Sequence, residues 1–167
     1  LDIRYIDLKF ILVIQEDSIL PKYKTSALRG GMGQVLLKQN CIRDENCESC
    51  DFSDECLVRR MMYSKYEIQP KFATRGDSIG YVIECNNLKE IFRSGEKLEF
   101  HLLLYGKTIA YFSQFLQAFY MLGQYGLGKE HTRYEIVKVE NNKGEPVVSG
   151  HNVYLSRLGI STIKEYV

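Results

Sequence analysis

Ile6, Leu8, Phe10, Leu12 and Ile14 occupy alternate positions near the start of the chain. This is the period-two pattern of a strand with one buried face, and it predicts extended structure over residues 3 to 15. The polar stretch "EDSILPKYK" then reads as a loop. In "YKTSALRGGMGQVLLKQN" the period changes: Leu28, Met32, Val35, Leu36 and Gln39 fall at i, i+4, i+7, i+8 and i+11, which predicts a helix with Thr25 or Ser26 as N-cap. A short helix is expected in "DECLVRRMMYSKY", a loop over residues 67 to 79, and a strand in "GYVIECN". Leu98, Phe100, Leu102 and Leu104 alternate up to Gly106 and give another strand. Ile109, Phe112, Leu116 and Phe119 mark one face of a second long helix, with Gly123 as its C-cap signal. "HTRYEIVKVEN", "NKGEP" and "VVSGHNVYL" read as strand, turn and strand, a hairpin.

Without the stretch that follows the first helix, the order is β-α-β-β-α-β plus an added C-terminal hairpin strand. That is the ferredoxin-like α+β pattern, in which two helices cover one face of an antiparallel sheet and leave the other free to bind. Residues 1–155 are expected to form this domain, with an insertion at about 40–66, and 156–167 to be a tail or the start of a linker.

Composition narrows the classes. At 167 residues, 45% hydrophobic and 26% charged, the chain is an ordinary globular domain rather than a disordered or fibrous one. The opening "LDIRYIDLKFILVIQED" mixes charges into its apolar positions, and no run of about 18 apolar residues follows. Neither a secretory leader nor a membrane span is predicted, and a cytoplasmic location is expected. A net charge of +1 does not demand a polyanionic partner. Local clusters are more informative: Lys22, Lys24 and Arg29; Arg59 and Arg60; and Lys129, His131 and Arg133 form positive patches if the fold gathers them, and solvated faces if it does not.

Four of the five cysteines crowd into "CIRDENCESCDFSDEC", spaced C-x(5)-C-x(2)-C-x(5)-C as Cys41, Cys47, Cys50 and Cys56. Four thiolates on a polar loop suit a closed tetrahedral site, so structural zinc is expected, with metal binding supplying the folding energy of the loop. An iron–sulfur cluster, free thiols and disulfides are the alternatives. The lack of a leader and the odd fifth thiol, Cys85, argue against an oxidised framework.

Gly30, Gly31 and Gly33 interrupt the first helix at about 1 kcal/mol each relative to alanine. They leave room for close approach by a packed neighbour or by a ligand. Gly126 and Gly128 follow a helix and lead into a strand, the reverse of a dinucleotide fingerprint, and "GGMG" lacks the lysine of a phosphate-binding P-loop, so no nucleotide cofactor is expected. Backbone N–H groups of such a loop, with Lys129 and Arg133 beside them, can hold phosphates. His131 lies between those cations and is a candidate proton donor or phosphate contact. His101 falls on the polar phase of its strand and is expected to be a partly exposed sheet residue; His151 falls in the terminal hairpin.

Taken together, "LPKYKTSALRGGMGQVLLK", the four-cysteine segment, "SGEKLEFHLLLYG" and "LGQYGLGKEHTRYEIVKVEN" resemble the CRISPR-associated pre-crRNA-processing endoribonuclease family of the RAMP superfamily, in its cysteine-containing branch. The resemblance covers about residues 5 to 145. It implies an RRM-like RAMP domain, the N-terminal portion of a two-domain protein. It implies CRISPR repeat RNA as partner, other CRISPR effector subunits as further partners, and neither DNA nor membrane. It also implies metal-independent cleavage in which a ribose 2′-hydroxyl attacks the adjacent phosphate. On that basis Lys22, Lys24, Arg29, Lys129, His131 and Arg133 are the candidate RNA contacts. The family's histidine near the first helix has no counterpart in residues 16 to 40, which leaves His131, Tyr23 and Lys24 as the candidate proton-transfer groups. A non-catalytic RAMP-type subunit and a zinc-stapled protein-interaction module are the competing expectations.

Overall fold

The computed structural model describes residues 2–41, 56–62 and 80–164. Its centre is β1 (Asp2–Ile14), whose even-numbered residues from Ile6 to Ile14 are fully buried, as the alternation predicts. One edge of β1 pairs antiparallel with β5 (Lys97–Tyr105). Its other edge is shared: Lys9–Ile14 pairs with β6 (Tyr134–Glu140), and Asp2–Tyr5 with β9 (Ser161–Lys164). With β3 (Tyr81–Glu84) outside β5, and β7 (Pro146–Ser149) and β8 (Asn152–Val153) outside β6, the antiparallel sheet runs β3-β5-β1-β6-β7-β8. Ser161–Lys164, within the stretch expected to be a tail, is thus a strand of the sheet. Outside it, β2 (Ser18–Ile19), within the stretch expected to be a loop, pairs with β4 (Ile91–Phe92), between the two strands the pattern predicts.

Two long helices, α1 (Thr25–Asn40) and α3 (Phe112–Tyr125), pack on each other over one sheet face. A short α2 (Leu57–Met62) lies against α1. The core is aromatic at its middle. Phe10 and Phe100 stack across β1 and β5 with ring centroids 4.8 Å apart, and Phe119 of α3 closes on both at 5.4 and 5.0 Å. Gly31 explains one of the helix glycines: a Cβ there would lie 2.7 Å from Leu122 Cδ1, so the glycine lets α1 and α3 approach. Gly30 is exposed, with nothing within 4 Å of the same position.

Some local expectations are corrected. The N-cap of α1 is Lys24, not Thr25 or Ser26, which already lie within the helix; no side-chain hydrogen bond caps it, and the Lys24 ammonium donates to a backbone carbonyl instead. Gln39, placed by spacing on the buried face, is a polar side chain near the helix end and is exposed. The cap of α3 is Gly126 at φ +106°, whereas Gly123 lies inside the helix and lets it approach β6: a Cβ at Gly123 would lie 2.5 Å from the Tyr134 carbonyl oxygen. "VVSGHNVYL" is two strands rather than one, since Gly150 at φ +59° turns the chain between β7 and β8.

Candidate nucleic-acid interface

Residues 126–133 join α3 to β6 by a tight loop. The amide of Leu127 donates to the Thr132 carbonyl at 2.8 Å, and the reverse bond is 3.0 Å, so the loop closes like a small hairpin. Gly128 (φ +75°), Lys129, Glu130 and His131 form its tip, and the last three are exposed. His131, at φ +49°, is the non-glycine residue with positive φ among the described residues. Gly126 crosses it closely: a Cβ on Gly126 would lie 2.3 Å from the His131 carbonyl. Side chains rarely adopt either geometry, and such strain persists only where the surroundings impose it.

The surroundings are carboxylates. Glu130 accepts from the Ile19 amide at 3.0 Å, fastening the tip to β2. Glu16 accepts from the Arg133 amide at 3.0 Å and from its guanidinium at 3.3 Å. These hydrogen bonds, the backbone one foremost, hold the Glu16 carboxyl below its ordinary pKa. Gly128 rests on Pro21, 3.6 Å from where its Cβ would be, which brings the segment carrying Lys22 and Tyr23 beside the tip. Tyr23 is 72% exposed, with the Lys22 ammonium 5.7 Å from its ring centroid. Arg133 also borders a groove of about 420 Å³ shared with Gln15, Tyr120 and Gln124.

The structure therefore gathers Lys22, Tyr23, Lys129, His131 and Arg133 at one end of the molecule. Arg29 is exposed on α1. Lys24 is enclosed: fully buried, it donates to the carbonyls of Asn87 at 2.8 Å and Lys22 at 3.3 Å and lies over the Phe92 ring. Burial lowers its pKa, and the nearby Cys85 and Glu90 offset part of that effect. His131 has no side-chain hydrogen bond among the described residues, so nothing there orients its ring. His151 is exposed in the β7–β8 turn.

Of the cysteine set, Cys47 and Cys50 lie outside the described residues. Cys41 follows α1 and Cys56 precedes α2; both thiols are unpaired and partly exposed, at the ends of two helices that pack together. No group of three or more potential metal ligands occurs among the described residues. The side chains of Arg59 and Arg60 lie outside them as well. No helix there is long and apolar enough to cross a membrane.

On the other sheet face, His101 Nδ1 lies 2.8 Å from Asp7 Oδ1. The sequence put both residues on the polar phase of their strands but gave no sign of the pairing, which depends on the register of β1 against β5.

A family model described as an N-terminal domain, AF_1859_N, matches residues 3–160. A search of curated proteins gives no match. Among solved structures, a chain of the Csm3-Csm4 subcomplex in the type III-A CRISPR-Cas interference complex aligns with 82% of this chain and 76% of its own, with a TM-score of 0.50 and 11% sequence identity. At that identity the likeness is one of fold.

Proposed function

We propose that this chain, which belongs to the AF_1859_N family of N-terminal domains, is the RNA-binding domain of a CRISPR-associated RAMP protein that processes repeat RNA. The observation that carries the reading is the glycine-rich tip, pinned by Glu16 and Glu130, which presents Lys129, His131 and Arg133 beside Lys22 and Tyr23. An antiparallel sheet with two helices over one face supports the reading of a ferredoxin-like RAMP domain, and so does the fold it shares with a chain of a CRISPR interference subcomplex. Cations and backbone N–H groups at the tip bind phosphates, and the exposed Tyr23 ring offers a stacking surface to an unpaired base.

The test is fluorescence anisotropy with CRISPR repeat RNA across a salt series. Lys129→Ala should weaken binding without changing sequence preference and lower the salt slope by about one. Undiminished affinity as salt rises, or no affinity at low salt, overturns the reading.

A non-catalytic RAMP subunit is the second reading for this end of the molecule, favoured by the unpartnered His131 ring and the enclosed Lys24. Structural zinc held by Cys41, Cys47, Cys50 and Cys56 is part of the proposal. The donor chemistry fits, and the unpaired thiols of Cys41 and Cys56 flank the segment. About one equivalent of zinc by elemental analysis is expected.

A further inference from the structure

Along its first half, β6 has one side that no strand occupies among the described residues. The Arg133 carbonyl accepts from the Gln15 amide at 3.0 Å, and from there the register runs Ile14↔Tyr134, Val13↔Glu135 and Leu12↔Ile136. Bonded and non-bonded pairs alternate in an antiparallel ladder, so the backbone N–H and C=O groups of Tyr134 and Ile136 point away from β1. Ile14 shows the same alternation from the facing strand, since its amide and carbonyl turn to Glu96 and Gly95 on the β5 side. β7 reaches the outer edge of β6 only from Lys138 onward, opposite Ser149, and then turns off at Gly150 into β8. Among the described residues no hydrogen bond joins the outward groups of Ile136, or the Tyr134 amide, to another segment. Beyond this edge lies the groove of about 420 Å³ bordered by Arg133, with Tyr134 and Ile136 on its sheet side and Tyr120, Gly123 and Gln124 of α3 on its helix side. Tyr120 and Gln124 are both exposed.

We infer that this edge is a docking site for an extended peptide segment of a partner protein, which adds to β6 as a further strand beside α3. Unpaired strand N–H and C=O groups are satisfied by another extended backbone, and an open edge next to a helix-walled groove receives one without rearrangement of the sheet. The free stretch from Tyr134 to Val137 is about 13 Å long at about 3.3 Å per residue, so about four residues of the partner pair with it. Directly opposed residues share a face. The residue opposite Ile136 therefore enters the groove against Tyr120, where an apolar side chain fits. The residue opposite Glu135 lies on the open sheet face, where a Lys or Arg completes an opposite-charge pair. A second copy of this chain fits less well, because edge-to-edge pairing centred on Glu135 sets that carboxylate against itself. The inference goes beyond the RNA-binding reading and does not rest on it.

The experiment pans the chain against a phage library of random peptides of about ten residues, the length of a long strand. Enriched peptides are resynthesised and measured by fluorescence anisotropy and amide NMR. They should carry an apolar residue next to a Lys or Arg, shift the Tyr134 and Ile136 amide resonances, and slow the exchange of both amide protons with solvent. Ile136→Pro removes one outward donor and no bond to β1, a place where a strand tolerates proline. It should weaken the peptides about tenfold, the upper worth of one hydrogen bond. Gln124→Trp fills the groove from the exposed side of α3 and should also weaken them, with an unchanged thermal midpoint. Glu135→Lys should turn the preference at the charged position to Asp or Glu. Lys143→Ala, in the β6–β7 turn, should bind like wild type. If no peptide is enriched, if both amides stay unmoved, or if Ile136→Pro and Gln124→Trp bind as tightly as wild type, the inference falls. A concentration-dependent dimer that Ile136→Pro dissolves would give the edge to a second copy and overturn it as well.

Discussion

Phe100 and His101 are consecutive on β5, yet the pleat sends them to opposite faces. Phe100 is fully buried between Phe10 and Phe119, while the His101 side chain is 40% exposed and tied to Asp7. β1 repeats the division, with Phe10 inward and Lys9 outward. One strand thus serves two purposes at alternate positions, and a substitution at one should leave the other largely untouched.

The sharpest break of that comparison is Phe100→Ala, which should cost about 3–5 kcal/mol in urea unfolding because it leaves a cavity in the aromatic cluster. His101→Ala, one position along, should cost less than about 1 kcal/mol, since its contact with Asp7 is half-exposed. Similar losses at both positions would mean that the open face is covered by something that stabilises it. The helix glycines offer a smaller contrast of the same kind. Gly31→Ala pushes a methyl group into Leu122 and should destabilise by about 1 kcal/mol, whereas Gly30→Ala, in open space, should stabilise by about 0.5–1 kcal/mol. If Gly30→Ala also weakens RNA binding, a ligand backbone approaches there and the glycine is kept for binding.

The smallest expected effect is on the tip. Arg133 lowers the folded-state pKa of Glu16, so this contact contributes above the ordinary carboxylate pKa and is lost as the pH falls through the lowered value. The Arg133 amide resonance should shift on acidification below about pH 4, and the step should be missing in Glu16→Gln.

Much of this architecture was legible from periodicity. The buried phases of β1 and β5 are local properties and appear where the alternation puts them, as do Leu28, Met32, Val35 and Leu36 of α1 and Phe112 and Phe119 of α3; Leu116 is only partly buried, and Ile109 lies in a 3-10 turn before α3. What periodicity missed depends on register and close approach between distant segments. Gly123 resembled a cap because it ends an apolar run, but the Tyr134 carbonyl on β6 decides its role. Lys24 looked like one of three surface cations; a carbonyl 63 residues away encloses it. The pairing of Asp7 with His101 spans 94 positions and shows only once β1 and β5 are in register. β9 escaped notice because its four residues offer too short a period to stand out.

The crossing of Gly126 over His131 bears on the kinetics of any partner that docks at the tip. Those residues surrender their backbone freedom when the domain folds, not when it meets a ligand, so association there involves little reordering. Arrival should then be governed by diffusion and by the charges of Lys129 and Arg133, and tightness by how slowly the complex comes apart.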